Sequence, residues 1–373
     1  MYYQLGLVFV CAAVGAWGSI PKIIKLAQAK GLLDYPDARK AHLSQTPTLG
    51  GVGIFIGFIL SLTIFSNYAT NGHQLLGIIA ALIFLFFTGV KDDLMPLPPL
   101  KKLAAQVFAI GLAVFKGNVW LHGMYGLWGI GDLPLPIAYA LTFFVYITII
   151  NAINLVDGVN GLAGTLVLAA SLFFGIWYTV YDIQYLAVAS FAVAGAVAAF
   201  LYFNFRKEAL VFMGDTGSLI LGFLMAVLSI GFIEHAYQLK IYAPGVAPSI
   251  AMAVLSVPLI DTVRVFIIRV INKRSPFSGD RSHLHHVLLR AGFNHIQTSI
   301  FLLLFQLMVI ASMYLLPNSA VHIQLYTLVA WGLLLNSLII FLEKRYFSKT
   351  QKATEATFRH KVKTESSSQP PVV

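Results

Sequence analysis

Apolar residues occur in this chain as long uninterrupted runs. Each run is close to the ~20 residues an α-helix needs to cross the roughly 30 Å hydrocarbon core of a bilayer. The runs are rich in Leu, Ile, Ala and Phe and show no period-two alternation, so they predict helices rather than the strands of a barrel. Eleven spans follow, at residues 3–21, 49–67, 74–90, 103–121, 134–154, 161–180, 184–203, 216–234, 246–268, 299–316 and 324–342. The expected fold is all-α, a polytopic transmembrane helical bundle of about eleven spans. From about Lys344 the chain turns basic and then rich in Ser, Gln and Pro. That composition reads as a disordered tail, residues 344–373, behind one transmembrane domain, residues 1–343.

Composition supports this reading. The chain is 58% hydrophobic and 11% charged, with a mean hydropathy of +0.80. A soluble domain carries about 25% charged residues. The formal net charge of +10 would suggest nucleic acid in a soluble protein, but its distribution gives it another meaning. With the N-terminus outside, every Lys and Arg except Lys116 and Lys240 falls on the inside, 23 of 25. That is the positive-inside signature of orientation, with the C-terminus cytoplasmic. All acidic residues but Asp132, Asp182 and Glu234 lie on the same side, so chemistry that uses them faces the cytoplasm. Lys22, Lys25 and Lys30 follow the first apolar run, the reverse of a secretory signal peptide. Cys11 is the one cysteine, which excludes a disulfide within the chain.

Four polar constellations stand at the inner ends of the spans. The first is Lys91-Asp92-Asp93, followed by Lys101, Lys102 and Gln106. Adjacent carboxylates at a membrane exit suit divalent-metal or general-base work near phosphates, and the lysines suit an anionic lipid head. A solvated loop with orienting lysines is the bland alternative. The second runs from Asn151 to Gly161 and packs Asn151, Asn154, Asp157 and Asn160 into a very short connection. Interhelical hydrogen bonding would also account for it. The third is Phe212-Met213-Gly214-Asp215-Thr216-Gly217-Ser218, preceded by Asn204. Asp215 is positioned to cap the eighth span, and a carboxylate there can hold Mg²⁺ beside a diphosphate. The fourth holds Asp261, Arg264, Arg269, Lys273 and Arg274, then Asp280-Arg281-Ser282-His283-Leu284-His285-His286. If Asp280 caps a short helix, His283 and His286 share a face and, with Arg281, suit a diphosphate. The alternative is a basic juxtamembrane helix on anionic lipid. Histidines alone at this spacing do not make a zinc site, and no P-loop, HExxH or dinucleotide fingerprint is present.

Together these segments resemble the polyprenyl-phosphate N-acetylhexosamine-1-phosphate transferase family, from Asp37 to His286 and in family order. Asp37-Ala-Arg-Lys-Ala-His42 with Thr46-Pro-Thr-Leu-Gly-Gly51 looks like that family's first cytoplasmic loop. The resemblance implies Mg²⁺, for which Mn²⁺ can substitute, on Asp215 with Asn154 nearby. It implies a role in lipid-phosphate activation for Asp92 and Asp93, with Lys102 and Gln106 near that phosphate. It implies a uridine pocket from Asp157, Asn160, Asn204 and Phe212, and diphosphate binding by Arg281, His283, His285 and His286. Peptidoglycan translocases of the family carry an aspartate at the place of Asn160 and three consecutive histidines instead of His-Leu-His-His, so this chain looks like the GlcNAc-type branch.

The implied reaction moves N-acetylhexosamine-1-phosphate, GlcNAc-1-phosphate before others, from a UDP-N-acetylhexosamine to undecaprenyl or another polyprenyl phosphate, and releases UMP. It would be the first membrane step of a cell-surface glycan, at the cytoplasmic face of a bacterial inner membrane. Implied partners are membrane lipids and a second copy of the chain in a homodimer, and no nucleic acid. The alternatives are a phospho-MurNAc-pentapeptide transferase and a nucleotide-sugar or lipid transporter. A transporter predicts polar groups near the bilayer midplane, whereas here they cluster at inner loop ends.

Overall fold

The computed structural model describes residues 2–34, 46–66, 68–206, 208–243, 245–273, 275, 282–316 and 321–367. In chain order the helices are α1 (Tyr2–Lys30), α2 (Gly50–Phe65), α3 (Tyr68–Leu94), α4 (Pro99–Phe115), α5 (Leu135–Val156), α6 (Leu162–Val180) and α7 (Gln184–Asn204). They continue with α8 (Gly214–Gln238), α9 (Val246–Val254), α10 (Ser256–Ile271), α11 (Leu284–Arg290), α12 (His295–Tyr314) and α13 (Val321–Ser367). Two-residue strands β1 (Leu33–Asp34) and β2 (Thr46–Pro47) pair antiparallel between α1 and α2.

The protein is a polytopic helical membrane protein. Among the described residues, eight helices have the length and composition to cross a bilayer, and the α9–α10 pair makes a ninth if counted as one span. The difference from eleven lies in α2 and α4. At 16 and 17 residues they reach only about 24–26 Å at 1.5 Å per residue. The run at 246–268, expected as one span, is bent by 84° between α9 and α10. Its physical cause is Pro258, which has no N–H to give the Val254 carbonyl four residues back and whose ring crowds that carbonyl. Beyond Glu343, α13 remains helical through Ser367, where the sequence suggested disorder. Lys is the commonest residue of that stretch, followed by Thr, and no Gly or Pro interrupts it before Pro370.

At the centre stands α8, buried along its whole apolar length. A helix apolar on every side belongs inside a bundle, and α8 is surrounded by α2, α3, α5, α6 and α9. Its start is wedged against α2 so closely that a side-chain carbon at Gly51 would collide with the backbone of Gly217. The chain before α2 is stitched to the segment before α8: Phe212 N–H donates to the Pro47 carbonyl at 2.7 Å, and Gly50 and Gly51 donate to the Phe212 and Met213 carbonyls at 2.9 and 2.8 Å. At the opposite end Glu234 of α8 accepts from the His122 backbone N–H at 3.0 Å and pairs with the His122 ring and the Tyr125 hydroxyl. The described residues of the polar constellations lie at the first end.

Candidate active site

The start of α8 organises this end. Gly214 adopts φ +72°, and a side chain there would strike the Thr48 carbonyl and the Asp93 carboxylate, so glycine is required by conformation and by space. A helix start leaves N–H groups unpaired. Here Asp93, at the end of α3, receives them: Oδ1 accepts from Asp215 N–H at 2.7 Å, and Oδ2 from Thr216 N–H at 3.0 Å and the Thr216 hydroxyl at 2.5 Å. The expectation that Asp215 caps this helix is therefore corrected. Asp93 caps it from another helix through these hydrogen bonds, which leaves the Asp215 carboxylate in the first turn, facing the cavity.

That carboxylate is the hub of a polar network. The Lys102 ammonium pairs with Asp215 Oδ1 and, at 3.0 Å, with Asp92 Oδ2. Asn154 Nδ2 donates to Asp215 Oδ1 and to Ser218 Oγ, both at 2.7 Å. Asp92, nearly buried, also accepts the Leu97 N–H at 2.7 Å, which closes the turn into α4. Gln106 is buried one turn further along α4 and exchanges hydrogen bonds with Asn151 at 3.1 and 3.5 Å. It fastens α4 to α5 and does not line the cavity.

Asp92, Asp93, Asp157 and Asp215 all line one cavity of about 500 Å³. Among the described residues no three Asp, Glu, His or Cys side chains converge tightly enough to hold a metal by themselves. The donor set nonetheless fits a hard divalent cation, which takes one or two carboxylates and completes its shell with phosphate oxygens and water. Asp215 already holds one cation, the Lys102 ammonium, with the Asn154 amide beside it.

The facing wall is the short turn between α5 and α6. Asp157 lies half-buried there, and among the described residues its carboxylate has no hydrogen-bond partner. Loss of solvent pushes its pKa well above the usual carboxylate range, helped by the Asp215 and Asp93 charges. Asn204, buried, accepts the Gly161 N–H at 2.5 Å and donates to the Val211 carbonyl at 2.8 Å, so it braces the turn against the segment leading to Phe212. Phe212, Asn160 and Asn204 reach the cavity.

The histidine block divides. Asp261 of α10, 1% exposed, takes the His283 ring at 2.9 Å and accepts the Leu284 N–H at 2.8 Å, so it is Asp261 that holds the start of α11. Asp280, expected in that capping role, and Arg281, expected at the diphosphate, lie outside the described residues. His285 stacks on His283 with ring centres 5.6 Å apart and lies against Gly158. Burial pulls its pKa down to about 3, although Asp261 opposes the shift. Only His286 of the three lines the cavity, so His283 and His286 do not share a working face as expected.

Of the residues named from sequence, Asp92, Asp93, Asn154, Asp157, Asn160, Asn204, Phe212, Asp215 and His286 converge on one cavity. Lys102 reaches its carboxylates from behind, while Gln106, His283 and His285 support the walls. Sequence reasoning missed Thr48, Ser218 and His295, which also line it. Thr48 and Ser218 sit inside motifs already noted. His295 carries no motif signal beyond following Asn294, whose capping box with Gln297 opens α12.

Comparison with known proteins adds an independent line. The model of glycosyl transferase family 4 matches residues 75–233, from α3 to α8. An undecaprenyl-phosphate alpha-N-acetylglucosaminyl 1-phosphate transferase of Escherichia coli O157:H7 is 31% identical over 288 residues, 75% of each chain. A decaprenyl-phosphate N-acetylglucosaminephosphotransferase of Mycobacterium tuberculosis is 31% identical over 313 residues, 78% of this chain and 77% of its own.

Proposed function

We infer the activity from the family to which this chain belongs, glycosyl transferase family 4. It transfers N-acetylglucosamine-1-phosphate from UDP-GlcNAc to a polyprenyl phosphate, giving polyprenyl-diphosphate-GlcNAc and UMP. A terminal phosphate oxygen of the lipid attacks the sugar-bearing phosphorus, and the bond from that phosphorus to the bridging oxygen breaks, so the electron pair leaves with UMP. The observation that carries the reading is the convergence of four carboxylates and Asn154 on one cavity at a bundle end, with Lys102 paired to two of those carboxylates, matched by relatives whose names specify this transfer.

Such a transfer depends on positioning and charge neutralisation more than on covalent catalysis. A phosphate monoester has its second pKa near 6, so the lipid phosphate is mostly dianionic at neutral pH and needs little help from a base. Asp92 accordingly acts by holding Lys102 toward the phosphates, and Asp93 by fixing the start of α8. Asp215 and Asn154 would hold a divalent cation, Mg²⁺ or Mn²⁺, which when bound neutralises diphosphate charge. Asp157, Asn160 and Phe212, which line the cavity, would form the donor's wall, and His286, in the same lining, would meet the diphosphate. UDP-sugars are made in the cytoplasm, so the cavity end faces it, in a bacterial plasma membrane. The cavity's place at one end of the bundle favours an enzyme over a transporter with a midplane site.

The test uses purified protein with UDP-GlcNAc, Mg²⁺ and undecaprenyl phosphate. UMP should appear only when the lipid phosphate is present, and UDP-MurNAc-pentapeptide should not replace UDP-GlcNAc. Nucleotide-sugar uptake into vesicles without UMP release would overturn the assignment.

A further inference from the structure

The first turn of α12 grips one residue of the donor wall from both sides. Asn160 N–H donates to His295 Nδ1 at 3.2 Å, and Ser299 Oγ donates to the Asn160 carbonyl at 3.2 Å. Residues 295 and 299 are four apart and so lie on one helix face. Their helix start is itself fixed, because Asn294 accepts the Gln297 N–H at 2.8 Å while the Gln297 side chain accepts the Asn294 N–H at 3.0 Å. Asn160 belongs to a connection that turns directly from α5 into α6, with Gly161 at φ +79°. Tying both backbone polar groups of such a residue to a rigid helix determines how the turn is presented to the cavity. His295 lines that cavity together with Asp157, Asn160 and His286.

The contact also defines the state of the ring. A backbone N–H can be accepted only by an unprotonated nitrogen, so Nδ1 is bare and the neutral ring carries its proton on Nε2.

We propose that His295 is a positioning residue for the nucleotide-sugar donor: through Asn160 it sets the 157–161 turn, and thereby donor affinity rather than the rate of phosphoryl transfer. The proposal rests on the transferase reading above. On that reading the lipid acceptor and the cation would bind at Asp92, Lys102 and Asp215, which make no hydrogen bond to His295 or Ser299 among the described residues, so the contact should leave their binding unchanged.

Steady-state UMP release by the full chain, with UDP-GlcNAc and undecaprenyl phosphate varied in turn, separates the possibilities. H295A should raise the KM for UDP-GlcNAc about five- to tenfold, the worth of one hydrogen bond in a positioned site, with kcat and the lipid KM within about twofold. H295N, whose amide oxygen can accept the same N–H, should recover most of the loss. S299A, which removes the other half of the grip, should raise the donor KM by about two- to fivefold. A purely structural histidine would lower the amount of active enzyme and hence kcat, leaving the donor KM where it was. That result, or equal donor KM values for H295A and H295N, overturns the proposal. If H295A fails to fold, H295N and S299A decide: wild-type donor KM in S299A overturns it. Wild-type protein that releases no UMP at all refutes the transferase reading instead.

Discussion

Neighbouring carboxylates at this site differ because their partners differ. Asp93 receives three hydrogen bonds from the start of α8, whereas Asp92 faces Lys102 and Asp215 faces both Lys102 and Asn154. Asp93→Ala should therefore lower stability by about 1–2 kcal/mol, the value of a helix cap, as read by thermal unfolding in detergent, and activity should fall with it. Asp215→Asn should unfold at the wild-type temperature yet lose about a hundredfold or more in UMP release, the usual effect of removing a charge-stabilising group. Full activity of Asp215→Asn at saturating Mg²⁺ would remove this residue from the metal site. His285 makes a different prediction. The folded protein keeps its ring neutral to about 3, while the unfolded chain takes up a proton near 6.5. The stability it contributes is present above about 6.5 and is lost as pH falls toward 3. The unfolding temperature should thus drop on acidification, and drop less steeply in His285→Gln.

Among the elements, α8 shows how a site can be placed by close packing. Its start is confined by α2 at Gly51 and by the Asp93 carboxylate at the end of α3, while Gly214 bends the chain into position. Gly51→Ala puts a methyl group into backbone that cannot yield, so it should cost about 1–3 kcal/mol. It should also reduce kcat, because α2 can relieve the clash only by shifting the helix that carries Asp215. Unchanged unfolding temperature and turnover in that variant would show that the two helices do not meet this closely. The α9–α10 bend belongs to the same scale. Pro258 was visible in the run at 246–268, but hydropathy alone weighs length and apolarity and passes over one missing N–H.

At the scale of the whole molecule, the bundle separates two ends. One holds the cavity, and the other holds Glu234 with His122 and Tyr125. The orientation we propose, from the distribution of Lys and Arg, puts the cavity end at the cytoplasm. Single cysteines in a Cys11→Ser background test the assignment in intact cells. Ser282→Cys should resist an impermeant thiol reagent until the membrane is opened, and Asn118→Cys should label at once. Labelling of Ser282→Cys from outside would invert the orientation and exclude a cytoplasmic donor.

What the sequence determined by itself is the class, the positions of the apolar helices and most residues that reach the cavity. A bilayer imposes its demand on each helix separately, so composition and run length suffice. Polar groups such as Asn154, Asp157 and Asp215 stand out because they are costly beside hydrocarbon. Only the tertiary structure decided the pairings: Asp93 with the start of α8, Gln106 with Asn151, Asp261 with His283, and Asn160 with His295 and Ser299. These partners lie 22 to 139 residues apart. No local pattern encodes such a pairing, because whether a carboxylate caps a distant helix or faces a cavity depends on which helices pack together, and at what rotation.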